Sequence, residues 1–208
     1  MATSSQSIDD TGTDVGGHVV LNFVNTCGGA DKQRNAERLI DWETAIDWAT
    51  KHRLVDSAEW RLMEKARRKE GRDTSDLLDE LRDFRETVHT VFSALAGGLP
   101  VPEAARARLQ EHVIDAVQHA QLHLNGQEPA SWVVIPEHAG SALIKDRLAL
   151  AANALLGQPV MSNVRECAAC SWLFLDLSKS RSRRWCSMAT CGNRAKAQRH
   201  YRAAKGAS

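Results

Sequence analysis

Leu77, Leu81, Phe84, Val88, Val91 and Leu95 recur at alternating intervals of four and three. That spacing puts them on one side of an α-helix. Gly97-Gly98 ends the helix, and Pro100 and Pro102 prevent its continuation. Similar patterns predict further helices on either side. Asp41 is placed to cap one that runs to about Lys51, with Ala45, Ile46, Trp48 and Ala49 on its apolar side. Ser57 can cap another to about Glu70, and Gly71 to Ser75 then form a polar break. A helix begins near Pro102, which suits a first-turn position, and extends to about His119 or Leu122. Its inward residues are Ala105, Leu109, Val113, Ala116 and Ala120. Residues 139–156 are helical, with Leu143, Ile144, Leu148, Ala151 and Leu155 inward, until Gly157 and Pro159 stop them. Val19 to Thr26, closed by Gly28-Gly29, is either a short helix or a buried strand, because eight residues fit both. Leu122-His123-Leu124 and Trp132 to Ile135 flank Asn125-Gly126 as a small hairpin.

Composition changes this picture little until its distribution is followed. Of 208 residues, 43% are hydrophobic and 25% charged, values that exclude wholesale disorder. No apolar run approaches the roughly 20 residues of a membrane helix. Residues 1–14 read as a flexible tail. They have no basic start and no apolar centre, so they are not a signal peptide, and a cytoplasmic protein is expected. The net charge of +1 conceals an asymmetry. From Met161 onward stand ten Lys or Arg against only Glu166 and Asp176, a balance of +8, and the preceding 160 residues carry −7. A polyanionic partner is therefore expected for the C-terminal part alone.

The same part holds four of the five cysteines. Cys167 and Cys170 form a CxxC pair, and Cys186 and Cys191 follow after fifteen intervening residues. Two local pairs joined by a short hairpin deliver a tetrahedral set of soft ligands, the arrangement zinc prefers. Four thiolates leave no open position for water, so one structural zinc is expected rather than a catalytic one. Cys27, without a nearby partner, reads as a buried thiol. Trp172 to Leu175 can form a strand, and Ser178 to Arg184 a basic loop whose Lys179, Arg181, Arg183 and Arg184 suit phosphates. The helix expected from Gly192 carries Asn193, Arg194, Lys196, Gln198, Arg199 and Arg202. Arg194, Gln198, Arg202 and Lys205 make one stripe. Ala195 and Ala203 lie within the basic face, and Ala197, Tyr201 and Ala204 face the other way, toward the module's core. Such a helix, fixed at its N-terminus by metal, can enter a major groove.

Three runs identify a relationship. Cys167-Ala-Ala-Cys170-Ser-Trp-Leu-Phe-Leu-Asp176, Arg183-Arg-Trp-Cys-Ser-Met188 and Cys191-Gly-Asn-Arg-Ala-Lys196 resemble the CGNR zinc-finger family, named for the run at 191–194. The N-terminal part resembles the ABATE domain that accompanies such fingers. Leu21-Asn22-Phe23-Val24-Asn25-Thr26 is similar to its opening, with Asn22 where Asp is usual, and Leu39 to Trp48 and the helix from Leu77 also fit. The resemblance covers nearly all of the chain after residue 14 and implies a DNA-binding, stress-induced transcription regulator of bacteria.

The expected architecture is thus a mainly α fold with a small β-hairpin over 15–158, an ABATE-like sensor or dimerisation domain. A zinc-stabilised finger over 160–208, with a short β element and a C-terminal helix, binds duplex DNA. A small-molecule effector and a homodimer are further expected partners. Candidate ligand residues are His18, Asn22, Asn25 and Trp42. The first three, with Thr26, are polar groups in or beside an apolar segment, and either a ligand or, more simply, backbone groups would satisfy them. Trp132 is a further candidate for a pocket wall. His112, His119 and His123 share a stripe, but with no acidic or cysteine partner evident they read as partly exposed histidines rather than a second metal site. Two other functions compete: an RNA-binding module, and a zinc-dependent protein–protein adaptor. An enzyme is not expected, because the sequence has no phosphate-cradling glycine loop, no paired carboxylates in an evident pocket and no Ser/His/Asp arrangement.

Overall fold

A computed structural model describes residues 14–124, 126 and 129–206. Asp14–Gly16 makes a 3-10 turn, and the rest of the expected tail, residues 1–13, lies outside the described residues. The ambiguous apolar stretch is a helix, α1 (Val19–Val24), whose first turn is capped by His18. Two short strands follow, β1 (Cys27–Gly28) and β2 (Ala36–Glu37), which pair antiparallel. Helix α2 (Trp42–Lys51) is capped by Asp41, as its sequence predicts. Helix α3 (Ser57–Glu70) is capped by Asp56 rather than Ser57. Asp56 and Glu59 three residues on satisfy each other's backbone N–H groups, a reciprocal box that Ser57 cannot make. Gly71, at φ 67°, closes this helix in the left-handed conformation that favours glycine.

The 4-3-4-3 stripe lies on the 23-residue helix α4 (Thr74–Ala96). Thr74 and Ser75 belong to it, so the polar break is shorter than its composition suggests. Leu77 to Val91 of the stripe are buried, whereas Leu95 is 41% exposed near the helix end. Phe84 stacks on Phe23 of α1 at 5.9 Å, and Phe23 meets Trp48 of α2 at 5.5 Å. Pro102 serves as N-cap, one position before the first turn, of α5 (Glu103–Gln118). Ala120 then leaves the helix for β3 (Ala120–His123), which pairs with β4 (Ser131–Val134) in the expected hairpin. Asn125 of its turn lies outside the described residues. The expected helix over 139–156 is broken into α6 (Pro136–Ala139), a 3-10 turn at Gly140–Ala142, and α7 (Leu143–Leu156). Gly140 sits at φ 54°, and a Cβ there would meet Glu70 Oε1 at 2.6 Å, so the chain bends tightly against α3.

A 3-10 turn (Pro159–Asn163) leads into β5 (Val164–Glu166), which pairs antiparallel with β6 (Leu173–Leu175). Val164, Leu173 and Leu175 join the same apolar core as α1, α4 and α7. A π-turn (Met188–Gly192) and α8 (Asn193–Gly206) follow. One charged network is buried beneath this core. Arg85 of α4, 2% exposed, holds the Glu37 carboxylate of β2 through two guanidinium nitrogens and also donates to Thr26. Arg34 and Arg85 share Glu86. The buried Arg85 therefore has opposite charges in contact, which offsets its burial.

Candidate metal centre and nucleic-acid interface

The CxxC pair forms a tight knuckle. Cys167 N–H donates to the Trp172 carbonyl at 2.8 Å, and Ala169 N–H donates to Cys167 Sγ at 3.5 Å. The second pair is brought round by the basic loop, and Ala168 N–H donates to the Arg184 carbonyl at 2.9 Å. Cys186 and Cys191 are five residues apart, and the π-turn between them, with Gly192 N–H on the Ser187 carbonyl at 3.0 Å, closes that spacing. Gly192 leaves room there for Met188 and Trp185, since a Cβ would lie 2.7 Å from Met188 Sδ and 3.1 Å from Trp185. The result is a cluster of four sulfurs all within 4.8 Å of one another, each cysteine at most 6% exposed. Cys186 Sγ is 3.6 Å from both Cys170 Sγ and Cys191 Sγ. A tetrahedron with Zn–S of about 2.3 Å sets its sulfurs about 3.8 Å apart, so the cluster fits zinc.

The sulfurs also bias one another. Hydrogen bonds from Cys170 and Cys186 hold the Cys167 thiol far below its usual range, and hydrogen bonding with Cys167 pushes Cys170 up to about 12 and Cys186 higher still. A divalent cation at the centre is what allows all four to ionise together. Phe174 packs beneath the sulfurs, with Trp172 and Trp185 beside them. Among the described residues this is the only group of three or more His, Cys, Asp or Glu side chains with converging ligand atoms.

Asp176, fully buried, anchors the basic loop, a role the sequence did not suggest. Its carboxylate accepts from Ser178 N–H at 3.1 Å, Ser178 Oγ at 2.6 Å and Arg183 N–H at 2.9 Å, tying both ends of the loop to β6. These bonds, first that of the Ser178 hydroxyl, hold it below the usual carboxylate range. Lys179 and Arg181 project from the loop, with Arg181 at φ 47°. Arg183, expected on phosphate, is held at home. Its Nε donates to the Trp185 carbonyl at 2.9 Å, its Nη2 to the Cys186 carbonyl, and its guanidinium stacks 4.3 Å from the Phe174 ring. Arg184 lies over Trp185 at 5.1 Å.

Helix α8 corrects a second expectation. Ala197 and Tyr201 do not pack on the module's core. Both are exposed, Tyr201 by 63%, and the side chains of Ala203 and Ala204 lie outside the described residues. Arg194, Lys196, Gln198, Arg199 and Arg202 are exposed as well, and none of the four cations is in an ion pair among the described residues. Asn193 is partly engaged, its Nδ2 donating to the Ala189 carbonyl at 3.2 Å.

The candidate ligand residues are not gathered into a ligand site. His18 Nδ1 accepts from Val20 N–H at 3.2 Å, and Asn22 Oδ1 accepts from Gly16 N–H at 2.9 Å. Asn25 makes two 2.9 Å bonds with the backbone of Leu173. One polar atom of His18, one of Asn22 and both of Asn25 thus meet backbone groups. Trp42 borders a void of only about 10 Å³, with Leu77, Leu81 and Ile144. Trp132 lines a larger open cleft of about 500 Å³ between β4 and α7, with Val133, Arg147, Leu150, Ala151 and Ala154. The histidine stripe does find an acid. His119 Nδ1 is 2.7 Å from Asp146 of α7, 27 residues along, whose burial pushes its carboxyl up. His112 instead lies edge-on to Phe84 at 4.9 Å.

A family model described as "Putative stress-induced transcription regulator", ABATE, matches residues 17–159. The CGNR zinc-finger model matches residues 163–204, which include all four clustered cysteines. No curated protein matches the chain. The model for the N-terminal segment covers well over half of the sequence, and the cysteine geometry is that of the second segment, so the chain belongs to the ABATE family and carries a CGNR zinc finger after its ABATE region.

Proposed function

We propose that this chain regulates transcription by binding duplex DNA through residues 160–208. The observation that carries the reading is α8. It is a helix without acidic residues, seeded at the metal centre, whose described side chains from Lys196 to Arg202 are all exposed. Free cations on one projecting helix are the electrostatic footprint of a nucleic-acid surface. The loop at 178–184 supplies Lys179 and Arg181 for phosphates, and α8 supplies base-edge donors from Asn193, Arg194 and Gln198. Zinc holds the two in fixed relation and takes no part in chemistry, so the role is non-enzymatic. The ABATE region supplies the regulatory input. Its cleft beside Trp132 has the size and apolar lining of a small-molecule site, and Arg147 at its edge offers a cation. Pairing of two copies would present two fingers to two half-sites.

The test is fluorescence anisotropy of zinc-loaded protein on labelled DNA from its own upstream region, at several salt concentrations. If Lys179, Arg181, Arg194, Lys196, Arg199 and Arg202 all neutralise phosphates, log K falls against log salt with a slope of about −5. Binding that survives random duplex competitor supports the reading. Preferential binding to RNA of equal length, or binding with no salt slope, overturns it in favour of an RNA-binding module or a protein adaptor respectively.

A further inference from the structure

The first knuckle of the metal centre does not stand on its own residues. The segment between α1 and α2 lies along it. Asp31 N–H donates to the Ala169 carbonyl at 3.2 Å, and Ala30 forms an antiparallel bridge with Cys170 itself. Lys32 Nζ donates to the carbonyl of Cys167 and, at 2.8 Å, to Glu166. Helix α4 closes from the other side, with His89 Nε2 at 3.0 Å from the Ser171 carbonyl. A carbonyl only accepts, so that ring nitrogen carries the proton. Trp172 seals the joint. Its indole fills the space over Gly28, where a Cβ would come within 2.1 Å of the ring nitrogen.

We infer that the zinc centre is composite: residues 28–38 and the middle of α4, which belong to the ABATE match, are positioning parts of the metal site. The carbonyls of Cys167, Ala169 and Ser171 are held by donors from this N-terminal region. Those bonds fix the peptide planes that aim Cys167 and Cys170 at one point. Hydrogen-bonding partners just outside a metal's ligands typically change its affinity 10- to 100-fold. Linkage then runs both ways. Zinc orders the 28–38 segment, and a partner whose affinity for that segment zinc changes by some factor changes zinc affinity by that same factor. The inference rests on the metal centre alone and stands whether or not the finger binds DNA.

The test uses the full zinc-loaded chain. Zinc release to excess chromogenic chelator is timed for Lys32→Met and His89→Ala. Two controls accompany them: Lys65→Ala on the exposed face of α3, and Leu109→Ala, which loosens the core on α5 far from the sulfurs. The two positioning variants are expected to release zinc about 10-fold faster or more, and the controls at the parental rate. Release within about twofold of the parent for both positioning variants, or equal acceleration by Leu109→Ala, overturns the inference. Hydrogen exchange of the unaltered protein with and without zinc gives a second readout that needs no variant to fold. Loss of protection at 28–38 and around His89 when zinc is removed is expected. Loss confined to residues 164–206 overturns it.

Discussion

Replacing Asn25 by alanine tests how much of the molecule depends on one side chain. The amide sits at the C-cap of α1 and behaves as a fragment of β-strand. Nδ2 donates to the Leu173 carbonyl and Oδ1 accepts from the Leu173 N–H, both at 2.9 Å. Asn25 and Leu173 are both fully buried, so no water can take the place of the amide. The alanine variant strands one N–H and one C=O, each at a cost of about 1–3 kcal/mol, or roughly 2–6 kcal/mol together. For a chain of this length each kcal/mol moves the melting temperature by about 2–4 °C. The expected fall is therefore roughly 10 °C. It is measured by circular dichroism at fixed free zinc, because the metal itself shifts apparent stability. Asn25→Asp sharpens the test. It keeps the shape and the acceptor for Leu173 N–H, but it sets a carboxylate oxygen against the Leu173 carbonyl. It should be at least as damaging as alanine. A fall of less than about 2 °C for Asn25→Ala, or an aspartate variant as stable as the parent, would refute the reasoning.

Other outcomes follow from the same geometry. Cys170→Ser should lose zinc and DNA binding together, with reduced helical signal from α8, because structural zinc supplies the folding energy of such modules; normal DNA binding by this variant would sink the model. Arg199→Ala should weaken DNA binding evenly across sequences and reduce the salt slope by about 0.9, without moving the melting temperature. Arg183→Ala should behave in the opposite way, lowering thermal stability because its guanidinium serves the Trp185 and Cys186 carbonyls; an unchanged melting temperature would contradict that assignment. Burial against Phe84 holds His112 below the ordinary imidazole value of 6.5, with Lys145 and Arg108 adding to the effect. The unfolded chain then binds the proton more readily, so this contribution is complete above that value and is lost as pH falls through the folded one. His112→Gln should accordingly lose less melting temperature than the parent between about pH 7.5 and 5.5, and equal losses would show that His112 does not carry the effect.

Much of this was legible in the sequence wherever information is local. The α4 stripe, the Asp41 cap and the pairing of the strand at Leu122 with the strand at Trp132 are set by neighbours a few residues apart, and so are the four zinc ligands. What escaped depends on distance or competition. Asn25 looked like a candidate ligand group because its true partner, Leu173, is 148 residues away. His119 looked partnerless because Asp146 lies on another helix. Ser57 and Asp56 both suit a cap, and the choice fell to the residue whose partner three positions on is Glu59. Arg183 reads like its neighbours Arg181 and Arg184 in a string of letters, yet the aromatic face of Phe174 and two free carbonyls claim it. On α8 the small and aromatic residues imitate an inward face, although Ala197 and Tyr201 are exposed.

The freedom of α8 has a rotational consequence. The described side chains from Lys196 to Arg202 are exposed, so the angle at which they point is set at the helix's root, by Cys186, Cys191 and the π-turn between them. Each residue of an α-helix turns about 100° and advances about 1.5 Å. One residue inserted after Gly192 would swing the stripe of Arg194, Gln198, Arg202 and Lys205 by about 100°, about a quarter of a revolution. With alanine inserted, the net charge and the zinc ligands would be unchanged, and so would the attraction to phosphates that the proposed function assigns to the helix. The face offered to the bases would be a different one. The junction between Cys191 and the helix thus acts as a protractor, and, on the proposed reading, discrimination between sequences would be sensitive to it in a way that overall affinity is not.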